Sequence, residues 1–167
     1  MSKLTIIKSG MFYVLMMLSA TGCMYLGLSR VEGYSCTRYN RISIKSKSLK
    51  SLYERFANSN LDEKYAIYIC QVEYTEPPLF GLEEIIAKEG EKAVGYLTMK
   101  LIESDQDIRI HDIVHIFAEM SRQNTFNVAA DTALMYIIES KINTMGDGIW
   151  KQRSEQFLKD IKERKVS

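Results

Sequence analysis

The feature that most constrains the fold is a helical spacing of apolar residues that begins near residue 48. The apolar side chains of 49–56 fall at i, i+3, i+4 and i+7, which places them on one face of an α-helix. Asn60 or Asp62 can cap a second helix over 64–74, although the β-branched and aromatic residues of that segment would also suit a strand. Pro77 and Pro78 end this segment.

The same spacing predicts further helices in the rest of the chain, over 82–90, 93–101, 110–120, 128–142 and 149–161. The turn between the last two contains Gly146, Asp147 and Gly148, and Asp147 is a possible cap. Short turns between helices of this length indicate an all-α helical stack or bundle. We expect the methionines of this region to fill its core: Met99, Met120, Met135 and Met145.

Successive helix pairs recur at a regular interval of about 37–40 residues from Glu89 onward. This pattern resembles HEAT-type repeats, and the resemblance implies a small stack in which each helix pair packs on the next. A plain helical bundle is the alternative interpretation.

The amino terminus has the three parts of an export signal. Lys3 and Lys8 precede an apolar run over 11–18, and small residues over 19–22 lead to Cys23. This arrangement resembles the lipobox of bacterial lipoproteins, in which the cysteine is acylated and the chain is cut just before it. The resemblance covers residues 1–23 and implies a signal peptide over 1–22 and acylation of Cys23. We therefore expect a lipid-anchored tether over 23–47, and the helical spacing predicts a domain over 48–167.

An uncleaved membrane anchor is the alternative interpretation of the same segment. Residues 9–29 carry no charge, and about 20 apolar residues can span a bilayer. The second half of this run contains Ser19, Thr21 and Gly22, so it is poorly apolar. Either interpretation predicts a cell-envelope protein that is held at a membrane and faces the periplasm or the exterior.

The cysteine count agrees with export. If Cys23 is acylated, Cys36 and Cys70 remain, and two cysteines in an exported domain can form a disulfide. Such a bond would close a loop of about 34 residues and stabilise the domain by roughly 3–4 kcal/mol. Two unpaired buried thiols are the alternative.

The charge balance argues against a nucleic-acid partner, because the mature chain would carry 20 basic and 21 acidic side chains. One local run is basic and free of acidic residues. It can lie against anionic head groups, at about 1 kcal/mol per charge, or form a solvated linker. Its members are Arg38, Arg41, Lys45, Lys47 and Lys50.

The main candidate for chemistry is the pair His111 and His115, which the helical spacing places on one face with Glu119. The segment 111–115 resembles the HExxH motif of zinc peptidases, with Asp112 in place of the glutamate that acts as general base. Glu139 is the only downstream residue that we can nominate as a third ligand. The simpler interpretation is that these side chains, with Arg122, form the polar stripe of an amphipathic helix.

Two functions from different classes follow. The first is a protein–protein interaction module, such as an immunity protein, an inhibitor or an accessory factor of an envelope system, with no cofactor and no catalysis. Its partners would be the bilayer, through acylated Cys23, and an envelope protein that the sequence does not identify. The second is a metal-dependent hydrolase that uses His111 and His115. The first function predicts that replacing both histidines leaves stability nearly unchanged.

Overall fold

A computed structural model describes residues 30–31, 34–36, 49–74 and 81–164. A short antiparallel ladder pairs β1 (Arg30–Val31) with β2 (Tyr34–Ser35), with Arg30 opposite Ser35. The helices that follow are α1 (Leu49–Asn58), α2 (Leu61–Tyr74), α3 (Leu82–Ala87), α4 (Glu91–Glu103), α5 (Asp107–Gln123), a 3-10 turn (Val128–Ala130), α6 (Thr132–Thr144) and α7 (Ile149–Glu163). The predicted all-α class is confirmed.

Polar caps set several helix boundaries. The Asn60 side chain accepts a hydrogen bond from the Glu63 amide at 2.9 Å, so α2 begins at Leu61 and is a helix throughout. The Asp131 side chain accepts a hydrogen bond from the Leu134 amide at 3.0 Å, which starts α6 at Thr132. The prediction of one continuous helix over 128–142 is therefore wrong, because Asp131 ends the 3-10 turn and caps a new helix.

The helices from α3 onward form two layers. In one layer α5 packs between α3 and α7, and in the other α4 packs beside α6. Each helix thus packs on the helix two places away in the chain, and α5 also contacts both members of the second layer. This alternation is the arrangement of helical-repeat proteins, in which stacked pairs share a continuous core. The amino-terminal helices α1 and α2 extend the stack at the α3 end.

The corner between α3 and α4 depends on a glycine. Gly90 has φ +56°, and a Cβ built on it would lie 2.7 Å from the backbone oxygen of Thr125. The Thr125 hydroxyl also donates a hydrogen bond to the Ala87 carbonyl oxygen at 2.7 Å. The end of α3 is therefore held against the segment that follows α5.

Candidate functional site

The predicted histidine pair lies on α5, with the two ring centroids 6.3 Å apart. His111 is buried, whereas the His115 side chain is 26% exposed. Glu119 lies one turn further along, with its Oε1 3.9 Å from Nε2 of His115. The structure thus brings the three predicted residues to one face of α5, and α7 packs across that face.

His111 is held from both sides. Its Nδ1 lies 3.1 Å from Oδ1 of Asp112, and its ring lies 5.0 Å from Trp150 and 5.5 Å from Phe157, centroid to centroid. The other oxygen of Asp112 lies 3.4 Å from Nη1 of Arg109, which has no exposed surface. A buried charge is tolerated when it is paired, so Asp112 serves both Arg109 and His111. These five residues, on α5 and α7, form what we call the His111 cluster.

His115 lies at the edge of this cluster. Its ring stacks on Phe157 with a centroid distance of 4.4 Å and an interplanar angle of 2°. Burial lowers the pKa of His115, and this effect outweighs the nearby carboxylates of Glu83 and Glu119, which act in the opposite direction. Burial therefore favours the neutral form of the imidazole.

Within the described part of the chain, His111 and His115 lack the further ligand that a zinc peptidase needs. Among the residues that the structure describes, no group of three or more histidine, cysteine or acidic side chains is placed to hold a metal ion. Glu119 lies 2.6 Å from Nη2 of Arg122, and Glu139 lies on α6, 2.8 Å from Lys162 of α7. The hydrolase function therefore stays a prediction, with a direct test given in the Discussion.

The amphipathic interpretation needs a correction at one position. Arg122 is half-exposed, as a polar stripe requires, but His111 is 7% exposed because α7 covers it. The stripe therefore runs from solvent at Arg122 into the contact between α5 and α7. Because the His111 ring fills space beneath α7, we expect its removal to lower stability, and the Discussion's unfolding measurement decides between this and the expectation from the sequence.

The predicted disulfide is present. Cys36 and Cys70 are bonded, with their Cα atoms 5.3 Å apart. Cys36 is 2% exposed and Cys70 has no exposed surface. The bond joins a residue of the predicted tether, just after β2, to the interior side of α2.

Most of the other predicted site residues lie outside the described residues: Cys23, Arg38, Arg41, Lys45 and Lys47. Lys50 is described, at the start of α1. Its side chain is 86% exposed, and its Nζ lies 3.9 Å from Oε1 of Glu54. An exposed pair of this kind contributes little to stability and leaves Lys50 accessible.

Several polar residues are buried outside the predicted site. Lys64 of α2 is 4% exposed and is paired with Glu89. Tyr68 lies in the core, where burial, and to a smaller extent the charge of Asp112, raises the pKa of its hydroxyl. Arg109 is a further case, which was not predicted. Its i, i+3 spacing to Asp112 was the available signal, since such a pair on a helix can form an ion pair.

The second layer exposes apolar side chains on neighbouring helices. Met99 and Ile102 of α4 are 47% and 53% exposed, and Tyr136 of α6 is 73% exposed. We call these three residues the α4–α6 surface. The prediction that Met99 fills the core is wrong, because the side of α4 that carries it faces away from the first layer. A groove of about 290 Å³ opens beside Tyr136, between α6 and α7.

Comparison of the chain with models of protein families, with curated proteins and with solved structures found no match. In the ranges that the structure describes, no helix combines the length and the apolar character needed to cross a membrane.

Proposed function

We propose that this protein is an envelope lipoprotein, anchored to a membrane through acylated Cys23, and that its helical domain acts by binding another protein. The amino-terminal sequence supports the anchor. The buried bond between Cys36 and Cys70 supports export, because stable disulfides form in oxidising compartments such as the periplasm.

The α4–α6 surface is the observation that carries the binding function. Large apolar side chains that remain exposed on adjacent helices are typical of protein contact sites, and Met and Tyr are enriched in such sites. Here Met99, Ile102 and Tyr136 project from two helices that pack side by side. Helical stacks use extended faces of this kind to bind partners. A partner such as a toxin, for an immunity protein, or a component of an envelope machine would bury this surface.

The anchor is tested by the intact mass of protein extracted from membranes, for the native chain and for Cys23→Ser. We expect the native mass to show loss of residues 1–22 and addition of acyl chains. The Cys23→Ser variant should show neither change. A full-length, unacylated mass in both samples would refute the lipoprotein and favour an uncleaved anchor over residues 9–29.

The binding surface is tested by co-purification from the native envelope after crosslinking. Met99→Glu and Tyr136→Glu should each reduce recovery of the same partner at least tenfold, because each places a charge in the proposed contact. Lys92→Glu is the matched control, since Lys92 is an exposed residue of α4 outside the α4–α6 surface. Equal recovery with all three variants would show that the partner binds elsewhere.

A further inference from the structure

The disulfide joins a residue close in sequence to the proposed anchor, Cys23, to helix α2 of the domain. Cys36 follows β2 directly, and Cys70 lies in the second half of α2, a helix that packs on α1 and α3. Both cysteines are buried, so the bond lies within the folded domain. Two covalent routes therefore lead from Cys23 to the helical domain, one along the backbone to Leu49 and one through the disulfide to Cys70.

The two routes differ in length. Leu49 lies 26 positions after Cys23, whereas Cys36 lies 13 positions after it. At about 3.3–3.6 Å per residue, the fully extended routes span about 90 Å and about 45 Å. The pairing of β1 with β2 shortens the second route, because Arg30 and Ser35 face each other across the ladder at about 5 Å. The route through the disulfide then reaches about 35 Å from the anchor.

We infer that the domain is attached to its membrane anchor at Cys70, through the disulfide, and that the backbone connection from Cys36 to Leu49 does not set the distance between domain and anchor. The inference rests on the proposed function, since it takes Cys23 as the anchor. The shorter of two parallel connections sets the largest possible separation. The domain is therefore held with α2 within about 35 Å of the bilayer, a distance comparable to its own width.

The attachment also changes the place of the predicted basic residues. Arg38, Arg41, Lys45 and Lys47 belong to the loop that the disulfide closes, between Cys36 and Cys70. In the sequence they therefore follow the connection that runs from Cys23 through the disulfide. A protease that cuts among them leaves the domain anchored, because the disulfide still joins both parts of the chain.

The test uses the full chain in membranes and a site-specific protease. One variant carries the protease recognition sequence between Arg41 and Lys45, inside the closed loop. The matched control carries the same sequence between Met24 and Leu28, before β1. After cleavage and sedimentation, the measurement is the fraction of the domain in the supernatant, with and without dithiothreitol.

We expect cleavage of the first variant to release less than a tenth of the domain without reductant and most of it with reductant. The control should release its domain under both conditions. Release of the first variant without reductant would overturn the inference. Failure of the proposed function is visible earlier, because the intact mass of the membrane-extracted chain, measured before protease is added, then shows no acyl chains and no loss of residues 1–22.

A second measurement tests how far the folded domain can lie from the bilayer. Neutron reflectometry of the acylated protein on a supported bilayer gives the outer edge of the protein layer. Replacing both Cys36 and Cys70 by serine removes the shorter route, and circular dichroism of the same sample reports whether the helices remain. We expect the outer edge to move away from the bilayer by up to about 45 Å, the extended length of the 13 positions between Cys36 and Leu49. An unchanged edge with the helices intact would refute the proposed attachment.

Discussion

Replacement of His111 by alanine tests whether the His111 cluster stabilises the contact between α5 and α7. The ring is buried and lies 5.0 Å from Trp150 and 5.5 Å from Phe157. Removing a buried ring leaves a cavity and costs about 3 kcal/mol. Asp112 also loses the partner at 3.1 Å, which adds about 1 kcal/mol. We therefore expect the free energy of unfolding to fall by about 3–4 kcal/mol.

Urea denaturation of the oxidised protein at pH 7.5, followed by circular dichroism, measures this loss. His115→Ala is the matched control, because His115 lies one turn away on the same face and is more exposed. It loses one stacked ring contact, to Phe157, and should cost about 1 kcal/mol. A His111→Ala variant that is as stable as His115→Ala would refute the reasoning, since it would mean that α7 does not depend on the buried ring.

The other predictions concern backbone strain, pH and metal binding. Gly90→Ala should destabilise the domain by about 2 kcal/mol or more, because Gly90 has a positive φ and a Cβ there would meet the Thr125 backbone oxygen. Gly95→Ala is the control and should stabilise the domain by about 0.5–1 kcal/mol, because Gly95 lies within a helix and has open space around it. Thermal unfolding measures both changes. Burial lowers the pKa of His115, so the unfolded chain binds a proton that the folded chain does not. Stability should be full above pH about 6.5 and fall as the pH drops below it, and His115→Gln should remove this part of the pH dependence of urea unfolding. For zinc, we expect no stoichiometric metal in dialysed protein by elemental analysis; one zinc ion per chain, lost in His111→Ala, would support the hydrolase function.

The helical spacing of apolar residues predicted much of the fold. A helix begins at Leu49 as expected, and α4, α5 and α7 occupy the predicted segments. The spacing left α2 open between helix and strand, because its β-branched and aromatic residues suit both. Two features favour the helix. The Asn60 side chain caps its first turn, and the residues around Cys70 are buried on all sides of the segment. The apolar spacing also failed to predict that the helix is interrupted at Asp131, because a single capping residue does not disturb the apolar period.

The site was less predictable, because periodicity says which side chains share a face and not what covers that face. His111 and Glu119 were correctly placed on one side of a helix, but only the packing of α7 decides that His111 is buried and Glu119 less so. The burial of Arg109 depends on the same tertiary contact. The disulfide could be predicted because its prediction needs only a count of cysteines and no knowledge of packing. Once Cys23 is assigned to the anchor, Cys36 and Cys70 are the two cysteines that remain.

The central position of α5 has a consequence for how the domain opens. Ten of its 17 residues are buried, and it packs on α3, α4, α6, α7 and the 3-10 turn. If α5 unfolds, each of these elements loses its contacts with α5. The amide protons of α5 can therefore exchange with solvent only when the whole stack unfolds. Helix α1 packs mainly on α2 and α3, and it can open while the stack survives. The first partly unfolded form of the domain under stress therefore loses α1 and keeps the layers around α5 intact.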